Sequence, residues 1–369
     1  MSATTLPRFV MLGGFLGAGK TTTIAKLARY HQDRGQRVAI VTNDQATDLV
    51  DTSQLRAQGF EVGEVAGSCF CCNFNELTAT VERLSADQRP HVVLAEPVGS
   101  CTDLVSTVIR PLQQVYTQPF DIAPYGVIIK PSHGVRILRG TSKAGFSPQA
   151  EYIFRKQIEE ADFVVINRID ELKSTDIDEL SSLLDRDFGG RPILRMSAKT
   201  GEGFAALCEF LDQRGEFGRR VMDVDYDIYA QGESDLGWLN SQIAVSSRSP
   251  IDLDKFLIKL LEQLQSDFAK QSAETAHLKA FGLWEGQFGV ANLISSFDEP
   301  VLSLASNCLS KSIEVVVNAR VAIAPEILAS LVRDAVAAVA TAFHAVADIR
   351  TLQSFRPGRP VPTHRIPVA

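Results

Sequence analysis

Two clusters and a scatter of acids in this chain of 369 residues have the types and spacing to do chemistry. The first cluster is Gly14-Phe15-Leu16-Gly17-Ala18-Gly19-Lys20-Thr21, a G-x-x-x-x-G-K-[ST] pattern. Phosphate oxygens need a ring of backbone N–H groups at close range, and glycines let a chain curl tightly enough to present them. A helix starting there turns its positive end toward the anion. Gly14, Gly17, Ala18, Gly19, Lys20, Thr21 and Thr22 form the expected nucleotide cradle. Lys20 reaches the β/γ-phosphates, and the Thr21 hydroxyl binds Mg²⁺. The second cluster is Cys69-Phe70-Cys71-Cys72. Three soft thiolates suit Zn²⁺, with Co²⁺ and Ni²⁺ nearly as good. Spacing this close cannot encircle an ion on a regular helix or strand, so a loop is required, and Gly67 and Asn73 allow one. Three ligands imply an exchangeable site, completed by water or a partner's ligand. Cysteine is also a good small core residue. Core packing is the expectation for Cys101, Cys208 and Cys308 taken singly.

The elements that must position these residues follow from apolar patterning. Arg8–Leu12 reads as a buried strand and Thr22–Gln32 as a helix. Arg37–Thr42 is a second buried strand, ending at Asn43-Asp44. Ligands of open α/β sheets bind beyond the carboxyl ends of strands, which places Asp44 to meet Mg²⁺ or its waters. Asn43-Asp44 equally suits the start of a turn. A strand over 60–65 leads into the cysteines. Pro90–Glu96 is a strand ending in an acid, and Glu96 there holds the Mg²⁺ shell or orients the attacking water. Gly99 offers its backbone N–H to a γ-phosphate. If this loop moves with nucleotide state, Cys101 approaches the cysteine loop as a fourth thiolate. A helix over 102–116 and a strand over 125–130 follow. Residues 131–148 read as a polar surface connection, with His133 a solvated loop histidine. A strand over 162–166 closes on Asn167-Arg168-Ile169-Asp170. Asn167 and Asp170 match a guanine-recognition loop, since the Asp170 carboxylate accepts from guanine N1–H and the exocyclic amino group. After a helix over 176–188 and a strand over 192–196 come Ser197, Ala198 and Lys199, whose backbone N–H meets the guanine carbonyl.

Length favours two domains. The hydrophobic and charged fractions, 45% and 22%, are those of a globular protein, and the net charge of −7 argues against a nucleic-acid binder. No apolar run reaches membrane-spanning length. The six cysteines and the absence of a signal-peptide pattern point to a reducing, cytoplasmic setting. The expected architecture is α/β: a doubly wound, mostly parallel P-loop NTPase sheet over 1–222, then a smaller α+β domain over 223–369. In that second part, Tyr229–Glu233 reads as a linker. Strands are expected near 236–246, 277–281, 289–296 and 312–322, and helices over 253–268 and 325–343, an order that suggests a ferredoxin-like unit. The basic, proline-rich tail 355–365 is by default solvated, unless it covers the core or docks a partner.

Residues 8 to about 215 resemble the GTPase domain of the CobW/HypB/UreG family of metal-handling P-loop proteins. The phosphate loop, Cys-Phe-Cys-Cys and the loop Glu96-Pro97-Val98-Gly99 resemble its CobW-like branch. The resemblance implies GTP binding and hydrolysis, with Mg²⁺, coupled to loading of a transition metal on Cys69, Cys71 and Cys72 and to delivery to a client protein. Read from the residues themselves, Lys20, Asp44, Glu96 and Gly99 are the catalytic candidates. The chain departs from the family in having Arg168 where lysine is usual, a planar cation that can still cover the base, and in lacking a histidine-rich tract. A homodimer is compatible with the pattern. Two rivals stay open at this point. One is a P-loop kinase or NTPase acting on a small molecule; the other is a non-catalytic, nucleotide-dependent metal sensor.

Overall fold

The computed structural model describes residues 6–43, 50–86, 88–140, 147–293, 296 and 298–367. The chain divides into two compact units, one drawn from residues 1–45, 60–232 and 359–369, the other from 46–59 and 233–358.

The first unit is built on near-continuous apolar runs, which are stable only with both sheet faces covered. Strands β1 (Arg8–Gly13), β2 (Val38–Asn43) and β4 (Val92–Glu96) are buried at every position. So are β6 (Gly126–Ile129) and β7 (Phe163–Ile166), whereas β3 (Val62–Val65) and β8 (Ile193–Arg195) at the two edges are partly exposed. The order is β3-β2-β4-β1-β6-β7-β8, with the short β5 (Asp121–Ile122) beside β1. Every pairing is parallel. The connecting helices are α1 (Lys20–Asp33), α3 (Phe74–Leu84), α4 (Arg110–Gln114), α5 (Pro131–Leu138), α6 (Pro148–Glu160), α7 (Ser174–Phe188), α8 (Phe204–Leu211) and α9 (Tyr226–Ser234). Parallel pairing brings the carboxyl ends of β1, β2, β4 and β7 to one edge, so Gly13, Asn43, Glu96 and Ile166 all open onto it.

Four sequence expectations are corrected here. Residues 131–138 form α5, not a surface connection. Pro131 starts it, where a missing N–H costs nothing, and a Cβ on Gly134 would lie 2.9 Å from Leu180 Cδ1, so the glycine serves close packing rather than a turn. His133 is 2% exposed, its ring edge-on to Phe15 at 6.1 Å, and is not solvated. The linker at Tyr229–Glu233 is instead part of α9, with Tyr229 fully buried. The expected helix over 102–116 is shorter and opens with a π-helical turn over Val105–Ile109 ahead of α4.

The second unit contains α2 (Val50–Ala57), a segment that lies between β2 and β3 in the chain. The rest is β9 (Gly237–Asp252), α10 (Leu253–Lys270), β10 (Thr275–Trp284), β11 (Gln287–Leu293), β12 (Val301–Leu304), β13 (Leu309–Val321), α11 (Pro325–Ala342) and β14 (Ala345–Phe355). Its antiparallel sheet runs β12-β11-β10-β13-β9-β14. Without the β11–β12 hairpin this is the split β-α-β order of a ferredoxin-like domain. Strand alternation gives the sheet two faces. Leu278 and Ala280 share a core with Phe256, Leu257, Leu260 and Leu261 of α10 and Val332 of α11. Phe281 and Val290 instead pack with Val50 of α2. On that same side the Lys279 ammonium donates to Asp51 Oδ1 and Gln54 Oε1, both at 2.6 Å, which compensates a charge that is almost wholly buried.

Both tryptophans, Trp238 and Trp284, lie in this unit, so their fluorescence reports its unfolding selectively. Leu261→Ala empties a fully buried position of α10. It should lower the unit's stability in urea by about 2–5 kcal/mol.

Candidate nucleotide and metal site

The phosphate loop is held in shape by contacts that tolerate no side chain. Gly14 has φ +136°, and a Cβ there would lie 2.2 Å from the Ile128 carbonyl oxygen. Gly19 has φ +93°, and its Cβ would lie 2.4 Å from Asn167 Nδ2. Gly17 is also left-handed, at +71°. Lys20 Nζ folds back to donate to the Gly14 carbonyl at 2.9 Å, lying across its own loop. Thr21 Oγ1 donates to Glu96 Oε1 at 2.8 Å, so the hydroxyl ending one strand-loop and the carboxylate ending another already touch. A hydroxyl beside a carboxylate is a hard-oxygen donor set, which fits Mg²⁺. Thr22, next in the chain, is exposed. Asp44 lies outside the described residues.

The candidate base-recognition loops sit beside this cradle. Asn167 Nδ2 donates to the Ala18 carbonyl at 2.8 Å, and its Oδ1 accepts from Ala198 N at 2.8 Å. This one buried amide therefore ties the phosphate loop to the Ser197-Ala198-Lys199 turn. Arg168 is left-handed (φ 62°) and pairs with Glu171 at 3.0 Å. Asp170 and Lys199 are exposed, while Ser197 is buried and accepts from Thr200 N at 3.0 Å.

Beyond Glu96 the chain presses against the phosphate loop. A Cβ on Gly99 would lie 2.8 Å from Leu16 Cδ2 and 3.2 Å from both Leu16 N and Lys20 Nζ. Gln157 Nε2 of α6 donates to the carbonyls of Gly99 (3.0 Å) and Cys101 (2.8 Å). The wholly buried Glu160 accepts from Val105 N at 2.9 Å. Burial pushes its carboxyl well above the usual range.

The three cysteines lie in a turn, as their spacing requires. Cys72 N and Asn73 N both donate to the Cys69 carbonyl at 3.0 Å. The sulfurs of Cys69 and Cys71 are 2.6 Å apart, Cys69 and Cys72 3.2 Å, and Cys71 and Cys72 3.7 Å. Metal–sulfur bonds of about 2.3 Å in a tetrahedron set sulfurs about 3.8 Å apart. Cys71 and Cys72 match that spacing, and Cys69 must move outward to join them. Hydrogen bonds from Cys101, then Cys71 and Cys72, hold the Cys69 sulfur well below the usual thiol range. The same contacts with Cys69 raise Cys71 strongly and push Cys72 up to about 12. The Cys101 contact also bears on the expectation of simple core packing: Cys101 is buried, and it is buried against the cluster.

Two features were missed in the sequence. Asn43, read as a turn former, ends β2 and fastens the cysteine loop. Its Nδ2 donates to the carbonyls of Val65 (2.9 Å) and Ser68 (2.8 Å), and its Oδ1 accepts from Phe70 N at 2.8 Å. The tail is the second. It does not hang free in solvent: its extended backbone is hydrogen-bonded along the cysteine loop, with Pro360 buried and Val361 left 69% exposed. Val361 N donates to Cys72 Sγ at 3.2 Å, and Thr363 N and Oγ1 donate to the carbonyls of Cys71 (2.8 Å) and Cys72 (2.9 Å). His364 lies edge-on to Phe74 at 5.2 Å, and Arg365 Nε donates to the buried Asp103 Oδ2 at 2.7 Å. The signal available in sequence was the spacing of Pro357, Pro360 and Pro362, which enforces extension without naming a docking site.

Comparison with known proteins agrees with this geometry. The family described as CobW/HypB/UreG, nucleotide-binding domain, matches residues 8–194. The zinc chaperone YeiR of Escherichia coli is 28% identical over 168 residues, 45% of this chain and 47% of its own length. The chain thus spans about half of that relative. The urease accessory protein UreG 2 of a Bradyrhizobium species is 28% identical over 214 residues, 55% of this chain and 89% of its own. Among solved structures, the Zn(II)-bound YjiA GTPase from E. coli aligns over 90% of this chain and 99% of its own at 14% identity and a TM-score of 0.36. Among the described residues, no helix is long and apolar enough to cross a membrane.

Asn43→Ala should loosen the cysteine loop without touching a sulfur. Metal affinity is expected to fall about 10–100-fold, the usual cost of losing a partner that orients a ligand, when measured by competition with a chromogenic chelator. Removal of residues 359–369 should uncover Cys72. Its alkylation by iodoacetamide, followed by mass spectrometry, is expected to speed up several-fold, and an unchanged rate would mean that the tail does not shield it.

Proposed function

This chain belongs to the CobW/HypB/UreG family, and from that premise we propose that it is a GTP-hydrolysing metallochaperone. In this reading it takes up a transition metal, Zn²⁺ foremost, on Cys69, Cys71 and Cys72 and hands it to a metal-requiring client protein. One observation carries the reading, a short physical path between the two sites. Asn43 grips the cysteine loop, the preceding Thr42 pairs in register with Glu96, and Glu96 accepts from Thr21 of the phosphate loop. A change at the phosphates therefore has a route to the sulfurs through two packed strand ends.

The residues take the following roles. Backbone N–H groups from Gly14 to Thr22 cradle the phosphates, and Lys20 leaves the Gly14 carbonyl to meet the β/γ-phosphates. Thr21 and Glu96 would hold Mg²⁺, which neutralises charge on the phosphates when bound. Glu96, with Asp44, is assigned to placing the attacking water, and Gly99 N–H to the γ-phosphate. Asp170 selects guanine, Arg168 lies over the base, and the Ser197–Lys199 backbone meets the guanine carbonyl, the turn being set by Asn167. No arginine finger is evident from the sequence, so turnover should be slow until a partner engages. Six free thiols suit a reducing compartment, which supports a cytoplasmic setting.

The test is phosphate release. With Mg²⁺ the protein should release inorganic phosphate from GTP in preference to ATP, and Lys20→Ala should reduce the rate by about 10²–10³-fold. Equal use of ATP, or transfer of the phosphoryl group to a small acceptor, would replace this reading with that of a kinase or general NTPase.

A further inference from the structure

We propose that the groove filled by residues 359–366 is the docking site for an extended, arginine-bearing segment of the client protein, and that the chain's own strap keeps this place until the client's segment exchanges with it. The inference rests on the reading above for the identity of the client; the groove itself is read from what the strap touches.

The strap meets the cysteine turn with backbone donors two residues apart. Val361 N donates to Cys72 Sγ at 3.2 Å and Thr363 N to the Cys71 carbonyl at 2.8 Å. Further on, Ile366 N donates to the Ser106 carbonyl at 2.9 Å. Pro360 and Pro362 hold the chain extended between these points and have no N–H to satisfy. Val361 is 69% exposed, so the hold comes mainly from hydrogen bonds, which a free strap would exchange for bonds to water at small net cost. An element held in this way can be replaced by another of the same kind.

One contact decides what can replace it. Asp103 is 1% exposed and left-handed at φ 62°; its Oδ2 accepts from Arg365 Nε and Tyr226 OH, both at 2.7 Å, and its Oδ1 has no hydrogen-bond partner. A buried carboxylate stripped of its cation is costly. The strap therefore leaves as another cation arrives. Arg359 pairs with Asp227 at 2.8 Å, but those side chains are 54% and 83% exposed, and such a pair contributes little. The occupant that fits is thus an extended segment with an arginine placed as Arg365 is, beyond the N–H that reaches Cys72. Exchange of strap for segment keeps the acceptors of the cysteine turn satisfied. It also brings the client's own ligands beside the cluster without opening the sulfurs to bulk water. Each metal–sulfur bond is then given up as a client ligand takes its place.

The probe is the fluorescently labelled peptide Arg-Pro-Val-Pro-Thr-His-Arg-Ile, the strap's own sequence, added to full-length apo-protein without nucleotide and followed by anisotropy. In the wild type the tethered strap competes at an effective concentration of about a millimolar. Arg365→Ala drops the cation, and Val361→Pro removes the N–H donated to Cys72 at an exposed position; both loosen the strap. Each variant should bind the peptide at least tenfold more tightly than the wild type. Each should also be alkylated at Cys72 several-fold faster, and saturation with peptide should restore the wild-type rate. A peptide with alanine for its second arginine should bind at least tenfold more weakly. Melting curves show whether Arg365→Ala is folded, and Val361→Pro, which leaves Asp103 paired, carries the test without it. Absent binding, equal binding by the wild type and both variants, equal binding of a scrambled peptide, or binding that leaves Cys72 alkylation unchanged overturns the groove. A wild type that takes up no Zn²⁺ on its cysteines instead overturns the metallochaperone reading, and with it the client as occupant, whatever the peptide does.

Discussion

A turn that presents three sulfurs in one place has no ladder of its own to satisfy its backbone, and in a buried setting every unpaired N–H or C=O is expensive. The Asn43 amide meets that cost. It has one acceptor and two donors, and it spends all three on Val65, Ser68 and Phe70, the residues that lead into and through the cysteine turn. Phe70 is fully buried, so the turn is anchored by an apolar side chain on one side and by an amide on the other. Because that amide belongs to the last residue of β2, the thiol cluster inherits the rigidity of the parallel sheet. The same sheet fixes the phosphate loop. The two sites are thus rigid where they join β1, β2 and β4, and free to differ only in the loops between.

Asn167 repeats the device at the other side of the cradle. Its amide spans the Ala18 carbonyl and the Ala198 N–H, so a residue that pattern matching assigns to base contact is first a clamp between two loops. The glycine at 19 is required for it to fit. In both cases a single buried amide coordinates loops that are distant in the chain, which local propensity cannot supply.

Much of this was legible in advance. The strand–glycine loop–helix order around Lys20, the buried runs ending at Asn43, Glu96 and Ile166, and the need for a loop at Cys69–Cys72 all follow from side-chain type and period. The helices α10 and α11 carry their apolar stripes openly. What escaped were features whose cause is tertiary. His133 carries a polar ring and a neighbouring glycine, both local signals of a turn, yet the packing of Phe15 and Leu180 overrides them. The role of Asn43 depends on which strand lies beside β2. The tail was ambiguous because extended, proline-rich chain has no internal hydrogen bonds, and only a partner surface decides where its N–H groups go. For α2, nothing at its flanks marks the change of unit, since its buried face is ordinary for any amphipathic helix.

The placement of α2 bears on modularity. The chain leaves the first unit after residue 45, contributes one helix to the second, and returns by residue 60; near its end it comes back once more at residue 359. A gene fragment ending near residue 232 would therefore not encode a free-standing switch. It would strand Val50 and Asp51 without Phe281 and Lys279, and it would leave the carbonyls of Cys71 and Cys72 without Thr363. The two units are interlaced in the covalent order, so neither can be lost, swapped or duplicated by one recombination event without damaging the other.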